Sequence, residues 1–204
     1  MFKKYWKFFV IFWSVVLVGI IGVFVFFWLI SAGKLGFMPT FEELENPNNR
    51  FASEVYFADG PIMNRYFEKE NRKYIEYREI PQSVIDALIA TEDVRFYDHS
   101  GVDVRGLFRV AKGLLTANTS AGGGSTISQQ LAKMLFPRES DLNVFELAIR
   151  KFREWVIAVR LEKSYTKEEI LTMYLNKYDF LNLAVGISSA ADIYFQVPLD
   201  SLKV

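Results

Sequence analysis

Two acidic side chains and the single histidine of the chain lie close together in the stretch ATEDVRFYDHSG, residues 90–101. Glu92 and Asp93 end an apolar run, and His99 follows within the same stretch. Such residues often have structural roles, the carboxylates as a solvated helix end and the histidine as a satisfied core residue. They could equally do acid/base chemistry, because a carboxylate or an imidazole can take a proton from a substrate hydroxyl.

A second group of polar residues interrupts two amphipathic helical patterns further along the chain. Its members carry hydroxyl, amide, cationic or carboxylate groups: Ser125, Thr126, Gln129, Gln130, Lys133, Arg150, Lys151 and Glu154. The i, i+4 spacing places Arg150 and Glu154 on one helix face, where an ordinary salt bridge is expected. Two carboxylates combined with several cations would suit acid/base chemistry beside a phosphate.

Several common signatures are missing from the sequence. There is no GxxxxGK[ST], no HExxH and no CxxC, which excludes the main nucleotide and zinc motifs. Gly122–Gly124 precede a helical pattern and could bind phosphate there, although a flexible loop is the simpler interpretation. Ser164–Lys167 fits SxxK, but neither SDN nor KTG accompanies it, so a transpeptidase site is rejected.

Residues 8–30 form an uncharged run that, as a helix, would span roughly 34 Å, enough to cross a bilayer. Lys3, Lys4 and Lys7 precede it, so the positive-inside rule places residues 1–7 in the cytoplasm. A cleaved signal peptide would have a shorter apolar region, and we therefore predict a single-pass anchor in the cytoplasmic membrane. Everything after residue 30 would then lie on the outer side of that membrane.

The charge balance limits the classes of partner that the chain is expected to bind. The chain has 24 basic and 24 acidic residues, and the three N-terminal lysines account for part of the basic set. The region after the anchor is therefore slightly acidic, and a nucleic-acid partner is not supported. An anionic ligand must be bound by a local cluster of cations.

The remaining pattern predicts a mainly helical domain at 51–204, joined to the anchor by a linker at 31–50. Strand-like alternation around Asp59-Gly60 indicates a small β-hairpin. Six helices are predicted in this domain. The first three start at Pro81, after Asp103 and near residue 127, and the fourth spans about 142–163. The fifth starts after a Thr166/Glu169 capping box, and the sixth spans about 184–195. Apolar stripes are predicted at Val84, Ile85, Leu88 and Ile89; at Val104, Leu107, Phe108, Ala111 and Leu115; and at Phe145, Ile149, Phe152, Val156 and Val159.

Together these segments resemble the family 51 glycosyltransferases, the peptidoglycan polymerases found alone and in class A penicillin-binding proteins. Five blocks match family motifs in order: EDVRFYDHSG (92–101), GGSTISQQLAK (123–133), RKFRE (150–154), KEEILTMYLN (167–176) and GISSAADIYF (186–195). The resemblance implies a lysozyme-like helical transferase domain behind one transmembrane helix.

The resemblance also implies roles for the residues. Glu92 matches the general base that takes the proton from the acceptor 4-hydroxyl of lipid II, and Glu154 matches the second essential glutamate. Lys133, Arg150 and Lys151 would stabilise the departing pyrophosphate, while Ser125, Thr126, Gln129 and Gln130 would bind sugars or phosphates. Structural roles are expected for Asp93, Phe96, His99, Gly101 and Asn176. We further expect apolar neighbours to desolvate Glu92, which would raise its pKa toward the working pH.

The partners implied are lipid II, the growing glycan strand and the bilayer, with a transpeptidase domain or other cell-wall synthesis proteins in a longer parent chain. The resemblance assigns no cofactor, and a divalent cation, Mg²⁺ or Mn²⁺, at the pyrophosphate near Glu154 is left open. Phe37 and Met38 could dip into the membrane interface.

Some positions depart from the family pattern. Thr172 stands where a glutamate is common. Glu146 stands where an arginine is common, so that one expected phosphate contact is either missing or supplied by Arg138. Family domains also continue for several helical segments beyond residue 195. Two alternatives are therefore kept: a lysozyme-like glycan hydrolase, and an inactive membrane-anchored fragment that acts as a scaffold.

Overall fold

The protein is mainly helical over the residues that a computed structural model describes, which are 2–40, 53–56, 62–66, 71–116, 123–135 and 143–202. The helices are α1 Phe2–Ser31, α2 Gln82–Glu92, α3 Val104–Leu115, α4 Ile127–Leu135, α5 Val144–Ser164, α6 Lys167–Lys177 and α7 Ile187–Ala190. The strands are β1 Ser53–Tyr56, β2 Ile62–Tyr66, β3 Asn71–Arg72 and β4 Ala184–Val185. Short 3₁₀ turns cover Tyr77–Glu79, Phe96–Asp98 and Leu199–Ser201. The predicted mainly-α fold class is confirmed.

Helix α1 is long and apolar enough to cross a membrane. Its candidate span runs from Tyr5 to Ser31, 27 residues with a mean hydropathy of 2.8. Most of its side chains are exposed, and burial begins only near its C-terminal end, where Ile30 is fully covered. An exposed apolar helix of this length is what a membrane anchor requires.

Two small strand pairs accompany the helices. β1 and β2 pair antiparallel, as the predicted hairpin requires, and a bulge interrupts their register at Val55/Tyr56. The predicted turn at Asp59-Gly60 lies outside the described residues. β3 pairs with β4 in parallel. The prediction of a helix from Ala184 is therefore wrong by three residues: Ala184–Val185 form a strand, and α7 begins at Ile187 and continues as a π-helical turn over Ala191–Phe195.

The core lies where α4 packs against α5 and α6. Ile127 and Leu131 of α4, Leu161 of α5 and Ile170 and Leu171 of α6 are fully buried. Ile85 of α2 is also in this core, with Val84, Leu88 and Ile89 packed partly against it, so the predicted face of α2 is confirmed. Burial of these aliphatic side chains is the main force that holds the helices together.

Asn176 joins the end of α6 to the segment after β3. Its side chain accepts a hydrogen bond from the backbone N–H of Ile75 (2.9 Å) and donates to the carbonyl oxygen of the same residue (2.8 Å). The side chain also donates to the Thr172 carbonyl at 2.9 Å, and the residue is buried. In this structure Asn176 links elements 101 residues apart in the chain.

The C-terminal end of α1 is attached to α5. Phe152 of α5 lies against Phe26 and Phe27, with ring centroids 5.3 and 5.7 Å apart. Arg160 donates from Nη2 to the Ser31 carbonyl and hydroxyl, both at 2.8 Å, and from Nη1 to the Pro39 carbonyl at 2.9 Å. A cation at the last carbonyls of a helix also interacts favourably with the helix dipole.

The segment after α1 passes close to α5 as well. A side chain at Gly36 would meet the Arg153 guanidinium, and its φ of +115° suits glycine. Met38 is half-buried against the core, whereas Phe37 is 48% exposed, and a contact of these residues with the membrane interface stays a prediction.

Two predicted apolar stripes do not face the core. On α3, Phe108 and Leu115 are exposed, at 73% and 89%. On α5, Phe145 is exposed and Phe152 contacts α1, while the buried positions are Arg153, Ile157, Ala158 and Leu161. The stripe of α5 therefore points in part toward α1, because the adjacent face of α5 covers the core.

Candidate active site

Glu92 is the last residue of α2 and its side chain is exposed. Its carboxylate accepts a hydrogen bond from the side-chain amide of Gln130, Nε2–Oε2 2.7 Å. The carbonyl oxygen of that amide accepts from the buried Tyr174 hydroxyl at 3.1 Å. Burial, and then the nearby Glu92 carboxylate, raise the pKa of Tyr174, so this residue remains a donor. The apolar burial that we expected around Glu92 is absent, because the residue ends its helix at the surface.

Asp93 and His99 hold the turn that follows Glu92. Nε2 of His99 lies 3.0 and 3.1 Å from the two Asp93 carboxylate oxygens, and both side chains are almost fully buried. Asp93 also accepts from the backbone N–H of Ile127 at 3.1 Å, at the first residue of α4. A carboxylate at a helix N-terminus is favourable because it meets free N–H groups and the positive end of the dipole. These contacts place Glu92 beside α4.

Gly101 closes the same turn against α5. Its φ is +93°, and a Cβ there would lie 2.8 Å from the backbone carbon of Ala158, so only glycine fits. Its carbonyl accepts from the Thr126 hydroxyl at 2.7 Å and from the Gln129 amide at 3.2 Å. Thr126 and Gln129 are 2% and 1% exposed. Their predicted contact with substrate does not agree with this burial; in the structure both side chains hold the Gly101 turn.

Ser125, Lys151 and Glu154 form a second polar cluster. The Lys151 ammonium lies 2.8 Å from Glu154 Oε2 and donates to the Ser125 hydroxyl at 3.0 Å. The Glu154 side chain is 12% exposed and that of Lys151 is 41% exposed. The ion pair expected between Arg150 and Glu154 is thus replaced by one between Lys151 and Glu154, three residues apart on α5. Arg150 is half-buried beside them.

The first polar cluster, Glu92 with Gln130, and the second, Ser125 with Lys151 and Glu154, both lie at the N-terminal end of α4. Ser125 lies just before the helix and Gln130 lies in its first turn, so a single short segment touches both Glu154, through Lys151, and Glu92. Lys133, one helical turn further on, is exposed. The structure therefore ties residues from three separate sequence blocks to the same part of the fold.

The positions that depart from the family pattern have structural partners here. Glu146 forms a capping box with Asn143 at the start of α5, with bonds of 2.9 and 3.0 Å. Thr172 is buried and its hydroxyl donates to the Glu168 carbonyl at 2.8 Å. Arg138, the proposed substitute for a phosphate contact, lies outside the described residues.

The residues around Glu154 fit a divalent metal poorly. Its carboxylate is paired with the Lys151 ammonium, which a cation would have to displace. In the part of the chain that the structure describes, no three His, Asp or Glu side chains come together as a ligand group. A divalent ion bound in proteins usually needs more than one carboxylate or several substrate oxygens. We derive no reaction step through a metal.

The structure also shows a supporting network that the sequence reasoning missed. Lys167 donates to the His99 carbonyl (2.7 Å), pairs with Glu162 (2.8 Å) and lies 4.2 Å from the centre of the buried Phe96 ring. Glu162 also accepts from the Ser128 hydroxyl at the start of α4. Phe96, His99, Ser128 and Lys167 lie within the matched blocks, but Glu162, which joins Lys167 to Ser128, lies outside all of them and gave no signal. The pair of Glu162 with Lys167 joins the ends of two helices across a turn, which no helical spacing predicts.

Comparison with known proteins agrees with this arrangement. The family model described as Transglycosylase matches residues 59–204. The chain belongs to the transglycosylase family. All the residues of the two polar clusters lie within the matched transglycosylase region.

The similar proteins are penicillin-binding proteins. The chain is 38% identical to penicillin-binding protein 1A of Escherichia coli over 167 residues, 82% of this chain and 19% of the relative. It is 37% identical to the proteins of the same name from Pseudomonas aeruginosa, over 82% of this chain and 20% of the relative, and Haemophilus influenzae, over 86% and 19%. The transglycosylase chain described here thus spans about a fifth of the length of these relatives.

Proposed function

We propose that the protein is a peptidoglycan glycosyltransferase that joins lipid II units into β-1,4 glycan strands and releases undecaprenyl pyrophosphate. The observation that carries the proposal is that Gln130, at the start of α4, holds Glu92, while Ser125, just before α4, contacts Lys151, which is paired with Glu154. A base and a cation cluster at one helix end supply the two groups that a glycosyl transfer from a pyrophosphate needs.

Glu92 is the general base in this proposal. Its exposed carboxylate, held by Gln130, takes the proton of the acceptor 4-hydroxyl while that oxygen attacks the anomeric carbon of the donor strand. The C–O bond to the pyrophosphate breaks as the new bond forms on the opposite face. An α-linked phosphate thereby becomes a β-linked glycan, with inversion of configuration.

Lys151, Arg150 and Lys133 are the proposed cations for the leaving group. Negative charge builds on the pyrophosphate as its bond to the sugar breaks, and a cation that is already in place lowers that barrier. Glu154 holds the Lys151 ammonium in position through its ion pair. Its role in the reaction is therefore to orient a cation rather than to move a proton.

The anchor fits a substrate whose polyprenyl tail stays in a bilayer. Helix α1 would cross the cytoplasmic membrane with residues 1–7 in the cytoplasm and the catalytic region on the outer side. The relatives are penicillin-binding proteins, and we infer that a transpeptidase domain acts beside this one in a longer chain.

The test is polymerisation of labelled lipid II in detergent, with products resolved by gel. We expect polymer from the unchanged chain and none from Glu92→Gln, while Glu168→Gln, which removes an exposed glutamate of α6, keeps full activity. Polymer from Glu92→Gln would exclude Glu92 as the base. Shortening of added glycan strands would indicate a hydrolase instead.

A further inference from the structure

An open groove of about 580 Å³ lies between the end of α1 and α5. Its walls are mostly apolar and include Phe27 of α1, Val102 after the Gly101 turn, and Trp155, Val156 and Val159 of α5. We call it the anchor groove. Its volume is within the range of roughly 300–1,000 Å³ that binds small molecules in proteins.

Two cations complete the lining of the anchor groove. Arg160 is held at the end of α1 by its bonds to Ser31 and Pro39, and Lys163, one turn further along α5, is exposed. No carboxylate is among the lining residues that the structure describes. The groove therefore combines apolar walls with a positive end, which suits a ligand that has both a hydrocarbon chain and an anionic head.

The position of the groove indicates where such a ligand comes from. Phe27 and Ser31 belong to the candidate membrane span, so the groove opens where that span ends. Tryptophan is enriched at membrane–water interfaces, and long lysine and arginine side chains extend from apolar surroundings to the charged groups there. A bilayer lipid reaches the groove without leaving the membrane.

Trp155 adds a second, independent observation. Its indole Nε1 is buried and, among the residues that the structure describes, has no hydrogen-bond acceptor. Buried polar groups nearly always have a partner. An ester or phosphate oxygen of a ligand in the groove would supply an acceptor for this donor.

We propose that the anchor groove binds one anionic phospholipid of the surrounding bilayer. One acyl chain lies along Phe27, Val156 and Val159, and the phosphate faces Arg160 and Lys163. The lipid fills the space between the anchor and α5, the helix that also carries Lys151 and Glu154. This binding site is separate from the glycosyl transfer reaction and does not depend on it.

The experiment uses the full chain, with α1 in place, in nanodiscs of phosphatidylcholine. A trace of phosphatidylglycerol with a diazirine in one acyl chain is added, and labelled peptides are mapped by mass spectrometry after irradiation. We expect label on the α5 peptide that contains Trp155–Lys163, and competition by unlabelled phosphatidylglycerol but not by added phosphatidylcholine.

Three variants separate binding in the groove from general attraction to the membrane. Lys163→Glu should weaken labelling at least about fivefold, because one lysine near an anionic lipid surface contributes about that factor. Lys112→Glu, which changes an exposed lysine of α3, should leave labelling unchanged. Val159→Trp should fill the groove and abolish the label on α5, and thermal unfolding of each variant shows that the fold is retained.

Three results would overturn the proposal. The first is equal labelling of α5 in the Lys163→Glu and unchanged proteins. The second is labelling that is spread evenly along α1 with none on α5, and the third is displacement of the label by undecaprenyl pyrophosphate but not by phosphatidylglycerol. The last result would mean that the groove holds the tail of the substrate.

Discussion

Gln130 donates a hydrogen bond from its side-chain amide to Glu92, with 2.7 Å between Nε2 and Oε2, across 38 positions of the chain. The amide is itself oriented by the buried Tyr174 hydroxyl. A carboxylate at an exposed helix end would otherwise sample several rotamers. These two hydrogen bonds hold the Glu92 side chain in one orientation, toward the N-terminal end of α4.

We predict that Gln130→Ala lowers kcat of lipid II polymerisation by about tenfold to a hundredfold, since a hydrogen bond to a charged group contributes roughly 1.5–3 kcal/mol. KM should change little, because the loss concerns the orientation of Glu92, the proposed base. Steady-state kinetics with the radiolabelled substrate measure both constants. Gln82→Ala, at an exposed glutamine of α2, is the control, and an equal loss in both variants would contradict the proposed role of Gln130.

Lys151→Ala should lower kcat by about a hundredfold or more, the usual effect of removing a group that stabilises transition-state charge. Lys151→Arg should restore part of the activity because it keeps the charge. Glu154→Gln should also lower kcat, since it removes the carboxylate that holds the ammonium. Rates of single turnover, measured with pre-bound substrate, distinguish these effects from slower binding, and full activity of Lys151→Ala would remove it from the site.

Gly101→Ala should destabilise the fold by roughly 2–4 kcal/mol, through strain at positive φ and overlap with the backbone of α5. Gly123→Ala is a matched control, because a Cβ there meets nothing within 4 Å. Urea unfolding followed by circular dichroism gives both free energies. If the two variants unfold at the same urea concentration, the close packing of Gly101 on Ala158 is not present in solution.

Asp103 predicts a specific pH dependence of stability. The hydrogen bond from Arg95 holds the pKa of the Asp103 carboxyl below its ordinary value, with further support from the Gly106 backbone N–H. The unfolded chain therefore binds this proton at a higher pH than the folded protein does. The stabilisation is complete above the unfolded pKa of about 4 and is lost as the pH falls through the lower folded pKa.

The measurement is the free energy of unfolding of the unchanged protein and of Asp103→Asn between pH 6.5 and 2.5. The unchanged protein should be more stable at the upper end, and the difference should shrink as the pH falls. A difference that stays constant with pH would show that the pair of Arg95 with Asp103 does not form.

The linear order of residues was enough to identify the candidate membrane helix, the start of α2, the capping box at Thr166 and the five motif blocks, because each depends on residue types within a few turns of chain. It also indicated the need for a base and a cation cluster. Local spacing could not give the partners of the charged groups. On α5 it favoured Arg150 for Glu154, whereas the fold pairs Glu154 with Lys151, which also reaches Ser125.

Only the tertiary structure decided which polar residues are exposed. Thr126 and Gln129 stand beside Ser125 and Gln130 in one block, yet the packing of α4 against the Gly101 turn buries the first pair and leaves the second pair accessible. Packing also decided which element covers the apolar stripe of α5. Phe152 of that stripe contacts Phe26 and Phe27 of α1 instead of the core. Sequence periodicity shows that a face is apolar, but the element that covers it comes from a distant part of the chain, and its position is set by how all the helices pack together.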